Sequence, residues 1–177
     1  MQENRDERLQ QIAEKALTDA VVRLVWQDIG ENRDAFVTIK GTGFFVDPDL
    51  IVTNLHGVAG APALVAELVS SETQFPVEGV VASDIANDLT VLKVTGEGIP
   101  LSLGDSNAVQ IGDTVCTVGY PRGEKGVATQ VTIHGIRDRD KHFEINEAFD
   151  PGQSGSPLLN SEGEVIGVAA VAYIQIS

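Results

Sequence analysis

Three residue types decide what chemistry this chain can attempt: histidine, serine framed by glycine, and aspartate at the edge of an apolar run. Three histidines occur, His56, His134 and His142. His56 follows the run DLIVTN and precedes Gly57, so it is expected where a strand gives way to a loop, held by the strand and free to face a cleft. His134 lies inside the alternating run VTIHGI and reads as a strand-face residue. His142 stands in the charged stretch RDRDKHFE and reads as solvated. Ser154 sits in PGQSGSP, with Gly152 and Gly155 around it. Glycine permits a tight turn that leaves backbone N–H groups exposed. Acyl transfer needs that combination, a hydroxyl to attack and amide donors for the developing oxyanion, although an ordinary Gly/Ser turn has the same composition. Among 26 acidic residues, Asp88 stands out because it immediately precedes the apolar run LTVLKV. A carboxylate there can hold an imidazole in one tautomer and stabilise its charged form. Asp84 is the rival, and a plain turn or strand-start aspartate is the other reading of Asp88.

These side chains must be positioned by the elements around them. Residues 3–23 carry the one clear helical period: Leu9, Ile12, Ala13, Ala16, Leu17, Ala20 and Val21 form a single apolar stripe. Its polar face is not strongly basic, so the stripe is expected to pack on the domain rather than on a membrane. From Val21 onward the texture changes to short runs rich in Val, Ile, Thr and Phe, among them VVRLVWQ, AFVTIKG, TGFFVD, LIVTNL, PVEGVVA, TVCTVGY, VATQVTIHGI and YIQIS. Gly, Pro, Asp and Asn separate them. No helices alternate with these runs, which argues against a parallel βαβ fold and favours closed barrels or a sandwich. The stretch TGEGIPLSLGDSN, 95–107, is the best internal boundary. It divides the chain into a helix over 1–20, a first β unit over 21–100 holding His56 and Asp88, and a second over 101–177 holding Ser154.

Chain order narrows the chemistry. An α/β-hydrolase needs its histidine after the serine, and none follows Ser154; the motif GQSGS also lacks the final glycine of the nucleophile elbow. A subtilisin-type order could take Asp47 or Asp49 as the acid, but it belongs to an α/β fold. His56, Asp88 and Ser154 on an all-β chain match the chymotrypsin order. The chain carries no C-x-x-C, H-E-x-x-H or phosphate-loop motif, so neither a metal nor a cofactor is expected. With 26 acidic and 12 basic residues the net charge is −14, which argues against nucleic acid and anionic membranes as partners. No run approaches the roughly 20 apolar residues of a membrane-spanning helix. The segment MQENRDERLQQ has no apolar core of a secretory signal; the location is cytoplasmic if Met1 is the native start and periplasmic or otherwise extracytoplasmic if a leader was removed. Cys116 is the sole cysteine, which rules out an internal disulfide, and it reads as a buried thiol.

With these residues in hand, the chain resembles the HtrA (high-temperature-requirement) branch of the trypsin-like serine peptidases. Four segments carry the likeness over roughly residues 20–172: GTGFFVDPDLIVTNLHGV, SDIANDLTVLKV, LSLGDSNAVQIGDTVCTVGYP and FDPGQSGSPLLNSEGEVIGV. The resemblance implies two packed six-stranded antiparallel β-barrels with the cleft between them. It implies Ser154 as nucleophile, His56 as general base and acid, Asp88 as the residue orienting His56, and the backbone N–H groups of Gly152 and Ser154 as the oxyanion hole. It also implies that Ala148 forms the base of the primary specificity pocket and that Val168, Ala169 and Ala170 form its wall. An apolar base offers no partner for Lys or Arg, so cleavage of protein or peptide substrates after Val, Ala or Leu is expected.

The sequence departs from the family pattern near the nucleophile. Gln153 stands where Asn is usual, Ser156 where Gly is usual, and Gly57 where Val or Cys is usual. Relatives continue into a peptide-binding domain and are often trimers, so a further C-terminal domain or a homo-oligomer is implied. The alternative reading is a protease-like binding or regulatory module whose oxyanion loop is unformed until a signal orders it.

Overall fold

Helix α1 (Gln2–Asp19) opens the chain and buries the expected stripe, with Leu9, Ala13 and Ala16 withdrawn from solvent. It ends sooner than the 3–23 period predicts. The Ala20 N–H still donates to the Ala16 carbonyl at 2.9 Å, but Val21 already begins strand β1 (Val21–Ile29). Ala20 and Val21 are fully buried, and burial alone leaves the same apolar signal in a helix and in a strand. The structure is a computed structural model that describes residues 2–29, 35–61, 63–121, 125–137, 142–146 and 149–170.

β1 is joined by β2 (Ala35–Asp47), β3 (Leu50–Asn54), β4 (Leu64–Leu68), β5 (Thr73–Asp84) and β6 (Leu89–Val94). They close into an antiparallel barrel in the order β1-β2-β3-β6-β5-β4. The runs AFVTIKG and TGFFVD, separate in the sequence pattern, form one long strand, with a register shift between Leu24 and Val25 opposite Gly41 and Ile39. Val22, Leu24, Phe45, Ile51, Ala66, Phe75 and Leu92 fill the barrel, and the rings of Phe45 and Phe75 meet edge to face at 5.0 Å. Each large apolar side chain of this kind contributes about 1.5–3 kcal/mol by leaving water.

Residues 95–113 cross to the second unit, with a short 3-10 turn over Ser106–Ala108. Strands β7 (Thr114–Gly119), β8 (Val127–Arg137), β9 (His142–Ile145), β10 (Pro157–Leu159) and β11 (Val165–Val168) form a curled antiparallel sheet in the order β11-β10-β7-β8-β9. The run YIQIS, read from the sequence as a strand, lies outside the described residues. A further apolar cluster joins the two units: Leu9, Ala13 and Ala16 of α1 pack with Val21, Phe44, Cys116, Val118, Tyr120, Leu159 and Val165. The helix therefore seals the junction between barrel and sheet. No helix among the described residues is long and apolar enough to cross a membrane.

Candidate active site

β3 delivers His56. The strand ends at Asn54 and turns at once into α2 (Leu55–Val58), a single helical turn rather than the loop expected from Gly57. Asp88 enters from the other side, between β5 and β6, with φ 55°. That left-handed conformation is disfavoured for most side chains but tolerated by Asp and Asn. Two donors hold its carbonyl: the Leu55 N–H at 3.1 Å and Asn54 Nδ2 at 3.1 Å. Its carboxylate meets His56 twice. Oδ1 accepts the His56 backbone N–H at 2.8 Å, and Oδ2 lies in a short contact with ring Nδ1. With Nδ1–H committed to the carboxylate, Nε2 is left as the acceptor. The rival Asp84 is engaged elsewhere. It takes the Asn87 backbone N–H at 3.2 Å and Asn87 Nδ2 at 2.7 Å, and these bonds hold its carboxyl below the usual aspartate range.

Ser154 follows a 3-10 turn over Pro151–Gln153 and is almost fully buried. Its turn is pressed against the strand that leads to His56. The Thr42 N–H on β2 donates to the Ser154 carbonyl at 3.0 Å, and Thr53, three residues before His56, donates its hydroxyl to the Thr42 carbonyl at 2.7 Å. Gly155 has φ +91°, and a Cβ there would strike the Thr42 carbonyl and stand 2.5 Å from Thr53 Oγ1. Only glycine fits at this position. The Ser154 hydroxyl is buried and has no hydrogen-bond partner among the described residues. His56 and Asp88 are thus joined, whereas the link from His56 to Ser154 is not closed in this arrangement.

The segment expected to supply the oxyanion donors is held by bonds of its own. Gln153 N–H donates to the Asp150 carbonyl at 2.9 Å, closing the 3-10 turn. Gly152 is locked by sterics, because a Cβ there would run into the carbonyls of Tyr120 and Pro121. The unusual Gln153 is buried and its Oε1 accepts the Asp150 N–H at 3.0 Å, so it shapes the turn from within. Ser156 is matched by Gly119, at which a Cβ would collide with the Ser156 hydroxyl.

The expected pocket wall attaches beside Ser154. Ala169 accepts the Gly155 N–H at 2.9 Å and donates to the Ser156 carbonyl at 2.8 Å; it is buried, Val168 half-buried and Ala170 exposed. Ala148 lies outside the described residues. His134 is exposed on β8 and faces Glu144 at 4.0 Å. His142 is exposed as expected, but it begins β9 rather than standing in a loop. Cys116 is buried, and burial pushes the pKa of its thiol up to about 12. Nothing in the sequence pattern singles out Thr42, whose hydroxyl bridges Tyr120 and Gly152; both partners lie far away along the chain.

Known proteins share this architecture. Residues 41–168 match the family described as the trypsin-like peptidase domain. The chain is 35% identical over 139 residues to a protein of Chlamydia pneumoniae named "Probable periplasmic serine endoprotease DegP-like", covering 73% of this chain and 28% of that protein. It is 35% identical over 137 residues to "Serine protease Do-like HtrB" of Bacillus subtilis, covering 69% of this chain and 30% of that one. It is 36% identical over 151 residues to "Putative serine protease HhoA" of Synechocystis, covering 77% of this chain and 38% of that one. The chain therefore spans well under half the length of these relatives. Among solved structures, "HtrA-type protease AlgW with decapeptide" superposes with a TM-score of 0.80 at 22% identity, covering 93% of this chain and 59% of that one.

Proposed function

The chain belongs to the trypsin-like peptidase domain family, in its HtrA branch, and on that basis we propose that it is a serine endopeptidase domain acting through His56, Asp88 and Ser154. The observation that carries this reading is the double clamp of Asp88 on His56. It fixes the tautomer that leaves Nε2 able to take a proton, which is the state a general base requires. In the proposed reaction the Ser154 oxygen adds to the scissile carbonyl while His56 Nε2 takes its proton. The tetrahedral intermediate then expels the amine, which leaves with the proton from His56. Water attacks the acyl-enzyme by the same route, releasing the acid and restoring Ser154. The Gly152 and Ser154 N–H groups stabilise the oxyanion, and each such donor contributes about 100- to 1,000-fold in rate.

Substrates in this reading are extended polypeptides, bound with a small or medium apolar residue in a pocket formed by Ala148, Val168, Ala169 and Ala170. The similar solved structure, an HtrA-type protease with a decapeptide, supports a peptide ligand. The periplasmic names of relatives support an extracytoplasmic location. A second reading, conditional activity, is favoured by one specific observation: the Ser154 hydroxyl is buried and has no hydrogen-bond partner among the described residues, so turnover requires it to be brought onto His56.

Digestion of casein by the wild type and by Ser154→Ala, with the new termini mapped, tests both the reaction and the pocket. The expected result is cleavage by the wild type alone, after Val, Ala or Leu. Equal digestion by Ser154→Ala would overturn the nucleophile assignment, and a preference for Lys or Arg would overturn the pocket. Intact casein, cut only once a peptide activator is added, would select conditional activity.

A further inference from the structure

The nucleophile's turn is fastened to the barrel by one residue of β2. Thr42 is fully buried, and every polar group it has is engaged. Its N–H donates to the Ser154 carbonyl at 3.0 Å. Its carbonyl accepts from the Thr53 hydroxyl at 2.7 Å. Its own hydroxyl accepts the Tyr120 N–H at 3.0 Å and donates to the Gly152 carbonyl at 2.8 Å. A hydroxyl has one proton to give. Because Tyr120 N–H can only donate and the Gly152 carbonyl can only accept, the direction of this relay is forced.

Peptide planarity turns these bonds into constraints on the loop. Holding the Gly152 carbonyl fixes the plane that joins Gly152 to Gln153. Holding the Ser154 carbonyl fixes the plane that joins Ser154 to Gly155. The Gln153 carbonyl between them is held as well, accepting the Ser156 N–H at 3.0 Å. The surroundings leave little slack for other adjustments. A Cβ on Gly41 would stand 3.0 Å from the Ser154 carbonyl, and one on Gly155 would strike the Thr42 carbonyl.

We infer that Thr42 is a positioning residue for acyl transfer, its hydroxyl setting the Gly152–Ser154 segment relative to His56. The inference rests on the peptidase reading. Thr42 touches neither substrate nor reacting atoms; it acts through two peptide planes. Replacing it with valine keeps the shape but leaves the Tyr120 N–H and the Gly152 carbonyl buried and unpaired, which the loop can relieve only by moving. A displacement of about 1 Å at a reacting group can cost about 100-fold in rate. Serine keeps the relay and loses only a methyl group.

The test compares the full chain as wild type, Ser154→Ala, Thr42→Val and Thr42→Ser. It measures the rate of fluorophosphonate acylation together with kcat and KM on a fluorogenic peptide. Thr42→Val is expected to lower the acylation rate and kcat by about 10- to 100-fold with KM changed by less than about 3-fold. Thr42→Ser is expected to recover both rates to within about 3-fold of wild type, a rescue that a purely space-filling role for the side chain would not require. Thr42→Val acylated at the wild-type rate, a rise in KM with kcat unchanged, or a serine variant as slow as the valine variant would each overturn the inference. Should Thr42→Val not fold, Thr42→Ala removes the same hydroxyl without placing a methyl against Gly119, and the same expectations apply. A wild type labelled no faster than Ser154→Ala would defeat the peptidase reading itself, whereas a labelled wild type beside an equally labelled Thr42→Val defeats the Thr42 inference alone.

Discussion

Replacing Asp88 with asparagine isolates the electrostatic and tautomeric work of the carboxylate. The φ of 55° at this position suits asparagine as well as aspartate, so the backbone strain is unchanged. The carbonyl bonds from Leu55 and Asn54 do not depend on the side chain. The amide can be seated in two ways. If its oxygen keeps the His56 backbone N–H, its NH2 faces ring Nδ1 and forces the ring proton onto Nε2, the atom proposed to accept from Ser154. If the amide is turned over, NH2 meets the His56 N–H donor to donor. Either way the productive arrangement is lost. The equivalent change in the chymotrypsin-type triad costs about 10⁴-fold in kcat, which corresponds to about 5.4 kcal/mol at about 1.36 kcal/mol per decade. We expect Asp88→Asn to lose about 10³- to 10⁴-fold in kcat/KM on a fluorogenic peptide, with the thermal midpoint within about 3 °C of wild type because Asp88 is not a core residue. Asp84→Asn, whose carboxylate is held by Asn87, is the control and should stay within about 3-fold. A loss of less than about 10-fold in Asp88→Asn, or equal losses in the two variants, would refute the assignment of Asp88.

Gly155→Ala should destabilise the fold by at least about 3 kcal/mol, or roughly 6–12 °C in midpoint for a chain of this size, because the new Cβ meets the Thr42 carbonyl at φ +91°; an unchanged melting curve would contradict the packing described. Leu9→Ala, at a fully buried position on α1, should cost about 2–5 kcal/mol in urea unfolding, and a cost below about 1 kcal/mol would show that the helix does not seal the junction. Cys116 should resist thiol reagents in the native state at neutral pH and react fully in denaturant. Its folded pKa is raised by burial from 9.0 to about 12, so its contribution to stability is complete below pH 9 and is lost as pH rises through the interval to 12. Stoichiometric labelling of the folded protein at pH 7 would contradict this.

Much of the site is legible because its markers are local. His56 follows an apolar strand, Asp88 precedes one and Ser154 sits among glycines. The structure brings the first two into contact and lays the turn of the third against Thr42 and Thr53. The choice of Asp88 over Asp84 is not local. It depends on which carboxylate lies beside a ring 32 positions earlier in the chain, and the nearer-turn bonds of Asp84 to Asn87 carry no mark in composition. Thr42 is illegible for the same reason. A threonine in KGTGFF is an ordinary strand residue until partners 78 and 110 positions away are placed on its hydroxyl. The helix is legible in its face and not in its end, since Ala20 and Val21 are buried on either side of the change from helix to strand. The arrangement of the Pro151–Gln153 turn is a matter of peptide orientation, and Gly-rich sequence permits several.

The most direct measurement is active-site labelling with a fluorophosphonate, with the modified residue located by mass spectrometry in wild type, His56→Ala and Ser154→Ala. A competent triad predicts one adduct per chain on Ser154, absent from Ser154→Ala and formed at least about 100-fold more slowly in His56→Ala. An adduct on another residue, or Ser154 labelled at the same rate without the imidazole, would contradict the mechanism at its root.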